Sequence, residues 1–396
     1  MSNTIFSLKN DRSMFPEADQ DGKLAVDLNS EKYIKVWQGP NHPGVTGNMS
    51  LELTISGDEV LEAKTHVGYL HRGFEKLFER RRYIQCFPTC IRMCVPEPDI
   101  NEYNLARGTE LLAGIEVPEM AGWLRMLVLE MARLQVLLRM VPGQAGTIGL
   151  GLPSQWGLYY RELILDRFEE LTGGRIYHMY ILPGGVRGLL PDGFKERLEE
   201  NLLKIESFMK DVDRVIYSNA VFKKRTKGIG VIPPEWIDRY GATGPVARAA
   251  GFKRDIRKDY PYLYYDQLDF DYNIAYASDV FDRFHVRRDD VDTTIDLLRQ
   301  IMSKMPDKGD IKAETPNVLH WKVPKGETLV RCESSRGEYL FYMVADGSIY
   351  PRRINLRGPS YSHAVVLLEK LLINANISDV SSIMVSLATC PPEIER

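Results

Sequence analysis

The stretch VPEMAGWLRMLVLEMARLQVLLRM, residues 117–140, sets the architecture. Its only charges are Glu119, Arg125, Glu130, Arg133 and Arg139, so a helix over this stretch is apolar nearly all round. Such a helix forms the centre of a bundle rather than a surface element. Outward from it the pattern changes. Upstream, residues 49–56 and 59–65 are strand-like and meet at Gly57-Asp58, the mark of a β hairpin. Downstream, residues 161–172 read as helix closed by Gly173-Gly174. Phe194, Leu198, Leu202, Ile205, Met209, Val212 and Ile216 then form one stripe of an amphipathic helix. Residues 225–265, rich in Gly, Pro, Arg and Tyr, read as long structured loops, and 279–305 return to helix. Three strands follow at 328–333, 339–345 and 349–356, with Asp346-Gly347 as the tight turn of a second hairpin. The fold class expected is α+β: a central helical bundle with N- and C-terminal β hairpins, one domain over residues 31–396. Residues 1–30 lack periodicity and read as a flexible or partner-bound arm.

Composition removes several function classes. Of 396 residues, 51 are Lys or Arg and 54 Asp or Glu, a net charge of −3, which argues against a nucleic-acid surface or a polybasic membrane anchor. Residues 1–23 are polar and mixed in charge, unlike a secretory signal. The uncharged run 140–160, between Arg139 and Arg161, carries Pro142, Pro153 and several glycines. Such a run would leave backbone groups unpaired in lipid, so it reads as a loop region and any membrane association runs through partner subunits. The five cysteines, at 86, 90, 94, 332 and 390, make no disulfide framework for a chain of this length and read as free thiols.

Chemistry concentrates in two tetrapeptides. Cys94-Val95-Pro96-Glu97 and Cys390-Pro391-Pro392-Glu393 are each Cys-x-x-Glu with proline before the glutamate, at opposite ends of the chain. A thiolate is a nucleophile or metal ligand and a carboxylate can relay a proton, so together they suggest a composite site. The bland alternative is a pair of buried small hydrophobes near surface glutamates. Cys86, Cys90 and Cys94 also recur at every fourth residue, although Pro88 and Pro96 argue against a regular helix there. His42, beside Pro43, and the pair His66 and His71 are proton-transfer candidates with structural readings at least as good. Arg248, Arg254, Arg257 and Asp255 read as an ion-pair network, and no G-x-G-x-x-G follows a strand.

These residues resemble a known family. HVGYLHRGFEK at 66–76 looks like the G-Y-L-H-R-G-F-E-K segment of the hydrogenase-like large subunit of respiratory complex I. Further matches are Gly39-Pro40-x-His42-Pro43, Pro183-Gly184-Gly185-Val186, Thr243-Gly244-Pro245, Glu333-Ser334-x-x-Gly337-Glu338 and Arg357-x-Pro359-Ser360. The resemblance covers residues 33–396. It implies a hydrogenase large-subunit-like fold and a place on the cytoplasmic side of a membrane-bound complex. It also implies other peripheral-arm partners and a membrane-arm subunit at the acceptor pocket. No cofactor would be held by this chain alone; a [4Fe–4S] cluster would sit on an adjacent iron–sulfur small subunit, faced by Arg92 and His178. Glu75, with His71 in the same segment, would begin a proton or coupling path.

Departures from the family pattern narrow the subtype. Nickel–iron hydrogenases hold their metals with two Cys-x-x-Cys pairs, whereas Glu97 and Glu393 replace the second cysteines here, so no metal is expected. The family's quinone-headgroup His and Tyr correspond to Thr46 and Val95. The paired Cys-x-x-Glu pattern looks instead like the archaeal MBX/MBS complexes, which reduce sulfane sulfur. The expected chemistry is polysulfide reduction at Cys94 and Cys390 with Glu97 or Glu393 supplying protons. The rivals are a quinone or phenazine reductase using a pocket around His42, Thr46 and Val95, and a structural subunit with inert cysteines.

Overall fold

The computed structural model describes residues 33–45 and 47–396, so the arm expected at 1–30 and the candidate Thr46 lie outside the described residues. Three antiparallel strands open the fold in the order β1 (Ile34–Gln38), β2 (Ser50–Ser56) and β3 (Glu59–His66). β2 and β3 are the expected hairpin, turned at Gly57 with φ 59°, and β1 pairs along the free edge of β2. Short helices α1 (Phe74–Phe78) and α2 (Tyr83–Cys90) lead to α3 (Pro98–Ala113). Contrary to the sequence reading, Pro88 lies inside helix α2. That helix is only two turns long and buries Cys86, Phe87 and Cys90, so packing outweighs the backbone bond proline removes. Cys94 lies past its end, and the cysteine ladder is no continuous helical face.

The deciding stretch becomes α4 (Glu119–Gly143), with every side chain from Met120 to Leu138 buried. It packs against α5 (Leu152–Thr172) and α11 (Val280–Lys304) as the bundle centre. The loop expected over 140–160 is mostly helical: α4 runs through Pro142, a 3₁₀ turn spans Gln144–Ile148, and α5 begins at Leu152. Pro153 falls in the first turn of α5, where its missing N–H is not needed. Gly157 is a packing residue, since a Cβ there would meet Leu138 O at 2.5 Å and Pro142 Cγ at 2.4 Å.

Beyond α5, the two-residue strands β4 (Ile181–Leu182) and β5 (Gly185–Val186) pair. Helix α6 (Phe194–Val212) follows, and a π turn over Asp213–Tyr217 keeps Ile216 buried at the end of its stripe. The loops expected over 225–265 contain the short helices α8 (Pro234–Tyr240), α9 (Gly244–Arg248) and α10 (Ile256–Asp259), after α7 (Ala220–Thr226). The second antiparallel sheet is β6 (Gly326–Ser334), β7 (Gly337–Ala345) and β8 (Arg353–Arg357). Its tight turn is Ser335-Arg336; Asp346-Gly347 instead opens the longer connection to β8. Ser334 explains the shift, because its hydroxyl accepts from the amides of Arg336 and Gly337, at 3.2 and 3.1 Å, and closes the turn. The chain finishes with α12 (Leu368–Leu372), α13 (Val380–Ser386) and α14 (Pro391–Ile394). Helices and small antiparallel sheets together make the α+β class expected.

Several charged residues inside the bundle are paired. Arg125 grips Glu110 through two nitrogens at 2.6 and 3.1 Å and also donates to Leu182 O and Gly185 O. Glu110 in turn accepts from Gly184 N at 2.8 Å, which fixes the Pro183-Gly184-Gly185 turn. Arg248 pairs with Asp290, and Arg257 with Asp255 and Glu130, the ion-pair network read from sequence. Arg254 departs from it to pair with exposed Asp238. Removing one partner of a buried pair costs more than the pair contributes, because the other charge stays desolvated. Glu110→Ala should therefore destabilise the subunit by about 3–5 kcal/mol in urea unfolding; a loss under about 1 kcal/mol would contradict this role for the pair.

Candidate functional site

The two Cys-x-x-Glu segments meet in the interior. The Cys94 and Cys390 sulfurs and a Glu393 carboxylate oxygen all lie within 4.8 Å of one another, although nearly three hundred residues separate the cysteines. All three side chains are buried, as is Glu97. The two segments use different backbones. Glu97 caps the start of α3, whereas Cys390 caps the start of α14 and places Glu393 in its first turn.

The partner that sequence reasoning missed is Arg336. It sits in the β6–β7 turn, 2% exposed, at one of the unassigned positions of the Glu333-Ser334-x-x-Gly337-Glu338 motif. Its guanidinium donates to the Cys94 sulfur and lies 3.3 Å from Glu97 Oε2 and 3.6 Å from Glu393 Oε2. Glu97 also holds the turn that carries it, accepting from Ser335 N at 2.9 Å and Ser335 Oγ at 2.6 Å. Ser360 secures the other side, donating its amide to Glu393 Oε1 at 2.9 Å while its hydroxyl accepts from Cys390 N at 3.1 Å. Gly358 is required here, since a Cβ would lie 1.9 Å from Glu393 Oε1. Gly244 packs on the same turn, where its Cβ would meet Gly337 Cα at 2.3 Å. Most of the quoted motifs thus hold the backbone around these two thiols. A signal did exist in the sequence: an arginine in a two-residue turn between apolar strands, inside a motif.

The two thiols are unequal in acidity. Burial pushes the Cys94 thiol well up, and its hydrogen bond to Cys390 adds to this. That same bond from Cys94 lowers Cys390, aided by Arg336 and opposed by burial, so Cys390 is the more acidic of the two. Burial likewise raises the Glu393 carboxyl, whose Oε2 has no hydrogen-bond partner among the described residues. Arg336 stays charged: burial works against it, but Cys94, Glu97, Cys390 and Glu393 outweigh that. Cys94, Cys390 and Glu393 are donors a metal could use. The guanidinium already supplies the positive charge among them, so the set suits a dithiol better than a divalent ion.

Other candidates fall nearby or apart. Val95 lines, with Pro96, Cys390 and Arg336, a cavity of about 630 Å³; His42 is exposed and is not among its lining residues. His42 Nδ1 accepts from Gly44 N at 3.1 Å, a turn contact. Arg92 is exposed and stacks over Tyr177 at 4.7 Å, beside His178 in the chain. His178 is buried, bonded to Asp99 at 2.8 Å and stacked on Phe168, with Nε2 unpartnered among the described residues. Glu75 pairs with Arg353 and Arg396 at 2.5 and 3.0 Å, and His71 meets the Glu395 carbonyl. With Leu70 N bonded to the Glu395 carboxylate, this segment anchors the stretch just past Cys390. His66 pairs with Glu52. Cys86, Cys90 and Cys332 are buried apart from the pair and donate to backbone carbonyls.

Comparison with known proteins agrees with this frame. Residues 148–396 match the family described as respiratory-chain NADH dehydrogenase, 49 kDa subunit. The chain is 43% identical, over 92% of its length and 99% of that protein, to a subunit of the NADH-quinone oxidoreductase of Thermosipho melanesiensis. It is 36% identical, over 93% of its length and 99% of that protein, to a subunit of the F(420)H(2) dehydrogenase of Methanosarcina mazei. Among solved structures, a chain of the membrane-bound sulfane sulfur reductase, an archaeal respiratory membrane complex, superposes with a TM-score of 0.90 at 38% identity, covering 93% of this chain and 100% of that one.

Arg336 sets the thiolate population, and this is measurable. Arg336→Met removes a cation that lowers both thiols, so the pH profile of Cys390 labelling by iodoacetamide should move upward. At neutral pH the rate should fall about tenfold for each unit of that move. Arg336→Lys should retain most of the rate. An unmoved profile in the Met variant would refute the assignment.

Proposed function

The chain belongs to the family of the 49 kDa subunit of respiratory-chain NADH dehydrogenase, and from that premise we propose that it is the acceptor-reducing subunit of a complex I-like, membrane-associated oxidoreductase, with sulfane sulfur reduced at Cys94 and Cys390. The observation that carries this reading is the buried dithiol with its resident arginine, opening through Cys390 onto the cavity.

The chemistry follows from the unequal thiols. The Cys390 thiolate attacks an S–S bond of a polysulfide, forming Cys390–S–S⁻ and releasing a chain one sulfur shorter. Cys94 then attacks the Cys390 sulfur: the outer sulfur leaves with the Cys94 proton as HS⁻, and a Cys94–Cys390 disulfide remains. Two electrons and one proton return the disulfide to one thiol and one thiolate. The net change is Sₙ²⁻ + 2e⁻ + H⁺ → Sₙ₋₁²⁻ + HS⁻. Arg336 stabilises each thiolate as it forms, and Glu393, whose affinity for a proton burial raises, is the nearby proton source.

The electrons come from a [4Fe–4S] cluster of an adjacent small subunit, docked on the face carrying Arg92 and, beneath it, His178. Other peripheral-arm subunits flank the chain, and a membrane-arm subunit covers the cavity mouth. No helix among the described residues is long and apolar enough to cross a membrane. The attachment proposed is peripheral, on the cytoplasmic side.

A second reading, reduction of a quinone or phenazine, draws on the name of the Thermosipho relative and on apolar cavity walls such as Val95, Val136 and Leu158. Cys390→Ser in the intact complex separates the two. Sulfane-sulfur turnover should fall about a hundredfold or more while any quinone turnover persists. Undiminished sulfane-sulfur reduction in this variant would overturn the dithiol scheme.

A further inference from the structure

The cavity in front of Cys390 has a charge pattern that the thiol chemistry does not explain. Among the described residues its lining includes Arg139, Arg161 and Arg336 and no Asp or Glu. Arg139 has no hydrogen bond or ion pair among the described residues and is exposed. Arg161 is held in place: its Nε donates to Gln135 Oε1 at 2.8 Å, and Gln135 donates its amide to Pro96 O at 2.5 Å. Arg161 is thereby tied to the segment between Cys94 and Glu97. Its ion pair to Glu162, at 3.8 Å, is to a carboxylate outside the lining that Arg175 also engages at 2.5 Å.

Two cations beside one low-dielectric cavity repel each other, and partial burial adds a desolvation cost. Arg161 shows both, its guanidinium held below its ordinary pKa by burial and then by Arg139. An arrangement that strains the free protein in this way is relieved when an anion enters.

We propose that Arg139 and Arg161 form an anion-recognition site at the cavity wall, which binds one charged terminus of a polysulfide while Cys390 attacks the sulfur at the other terminus, near Arg336. The inference rests on the sulfane-sulfur reading and adds to it the charge of the substrate. A polysulfide carries negative charge at both ends, so a linear chain spans two cationic stations, whereas a neutral ring headgroup has no use for them. Elongated, doubly charged acceptors are favoured over uncharged ones of the same reactivity.

The test uses the purified complex with polysulfide and with dimethyl trisulfide, a neutral sulfane compound. In the Arg139→Gln/Arg161→Gln double variant the ratio of kcat/KM for polysulfide to that for dimethyl trisulfide should fall about tenfold or more, mainly through KM for polysulfide. Wild-type complex supplies a measurement that needs no variant: rising salt should depress kcat/KM for polysulfide and leave that for dimethyl trisulfide nearly flat. An unchanged ratio in the variant, or parallel salt dependence of both substrates, overturns the arginine site. Wild-type complex that reduces neither compound overturns the sulfane-sulfur reading itself, a result distinct from failure of the arginines alone.

Discussion

The site depends on one guanidinium. Arg336 is buried among two thiols and two carboxylates, and without it the interior would hold Glu97, Glu393 and a Cys390 thiolate with no cation at their centre. Burying that much negative charge is prohibitive unless it is neutralised by protons or by an opposite charge. The folded chain uses both: Glu393 and Cys94 tend to keep their protons, and Arg336 balances the rest. The hairpin turn, the Ser335 contacts to Glu97, and the Ser360 contacts to Cys390 and Glu393 all hold groups at fixed distance from that charge.

The same charge balance explains how two thiols and two carboxylates can be enclosed together. The second position of each Cys-x-x-Glu is a carboxylate that faces the arginine. A diffuse, planar cation with five donors replaces the compact charge of an ion, and it engages sulfur and carboxylate together. The result is a thiol pair whose two members differ in acidity although their local sequences look alike.

Much of this was legible in advance, and the failures have physical causes. The Gly57-Asp58 hairpin, the Phe194–Ile216 stripe and the buried helix over 117–140 followed from period and turn chemistry, which act locally. The run at 140–160 misled because its prolines and glycines were counted as breakers. Pro153 sits where a helix tolerates it, and Gly157 lets two helices touch. Asp346-Gly347 does begin the connection between β7 and β8, but that connection is longer than a tight turn, whereas the tight Ser335-Arg336 turn is stabilised by Ser334 and by Glu97 from a distant segment. The cysteine pair was found by repetition of a pattern, but Arg336 is singular, and only the folded chain reveals that it is enclosed.

The placement of the two cysteines relative to α3 and α14 has a consequence for how the site endures its own chemistry. Because Cys390 heads its helix while Cys94 precedes a different one, a single sulfur looks onto the cavity and the other stands behind it, fully enclosed. In the proposed scheme the acceptor therefore meets only the front thiol, and the rear thiol meets only the front one. On that scheme the rear member closes the front one into a disulfide, a form shielded from the stepwise oxygenation that destroys a lone exposed cysteine. The asymmetry would then act as a fuse that resets with each pair of electrons.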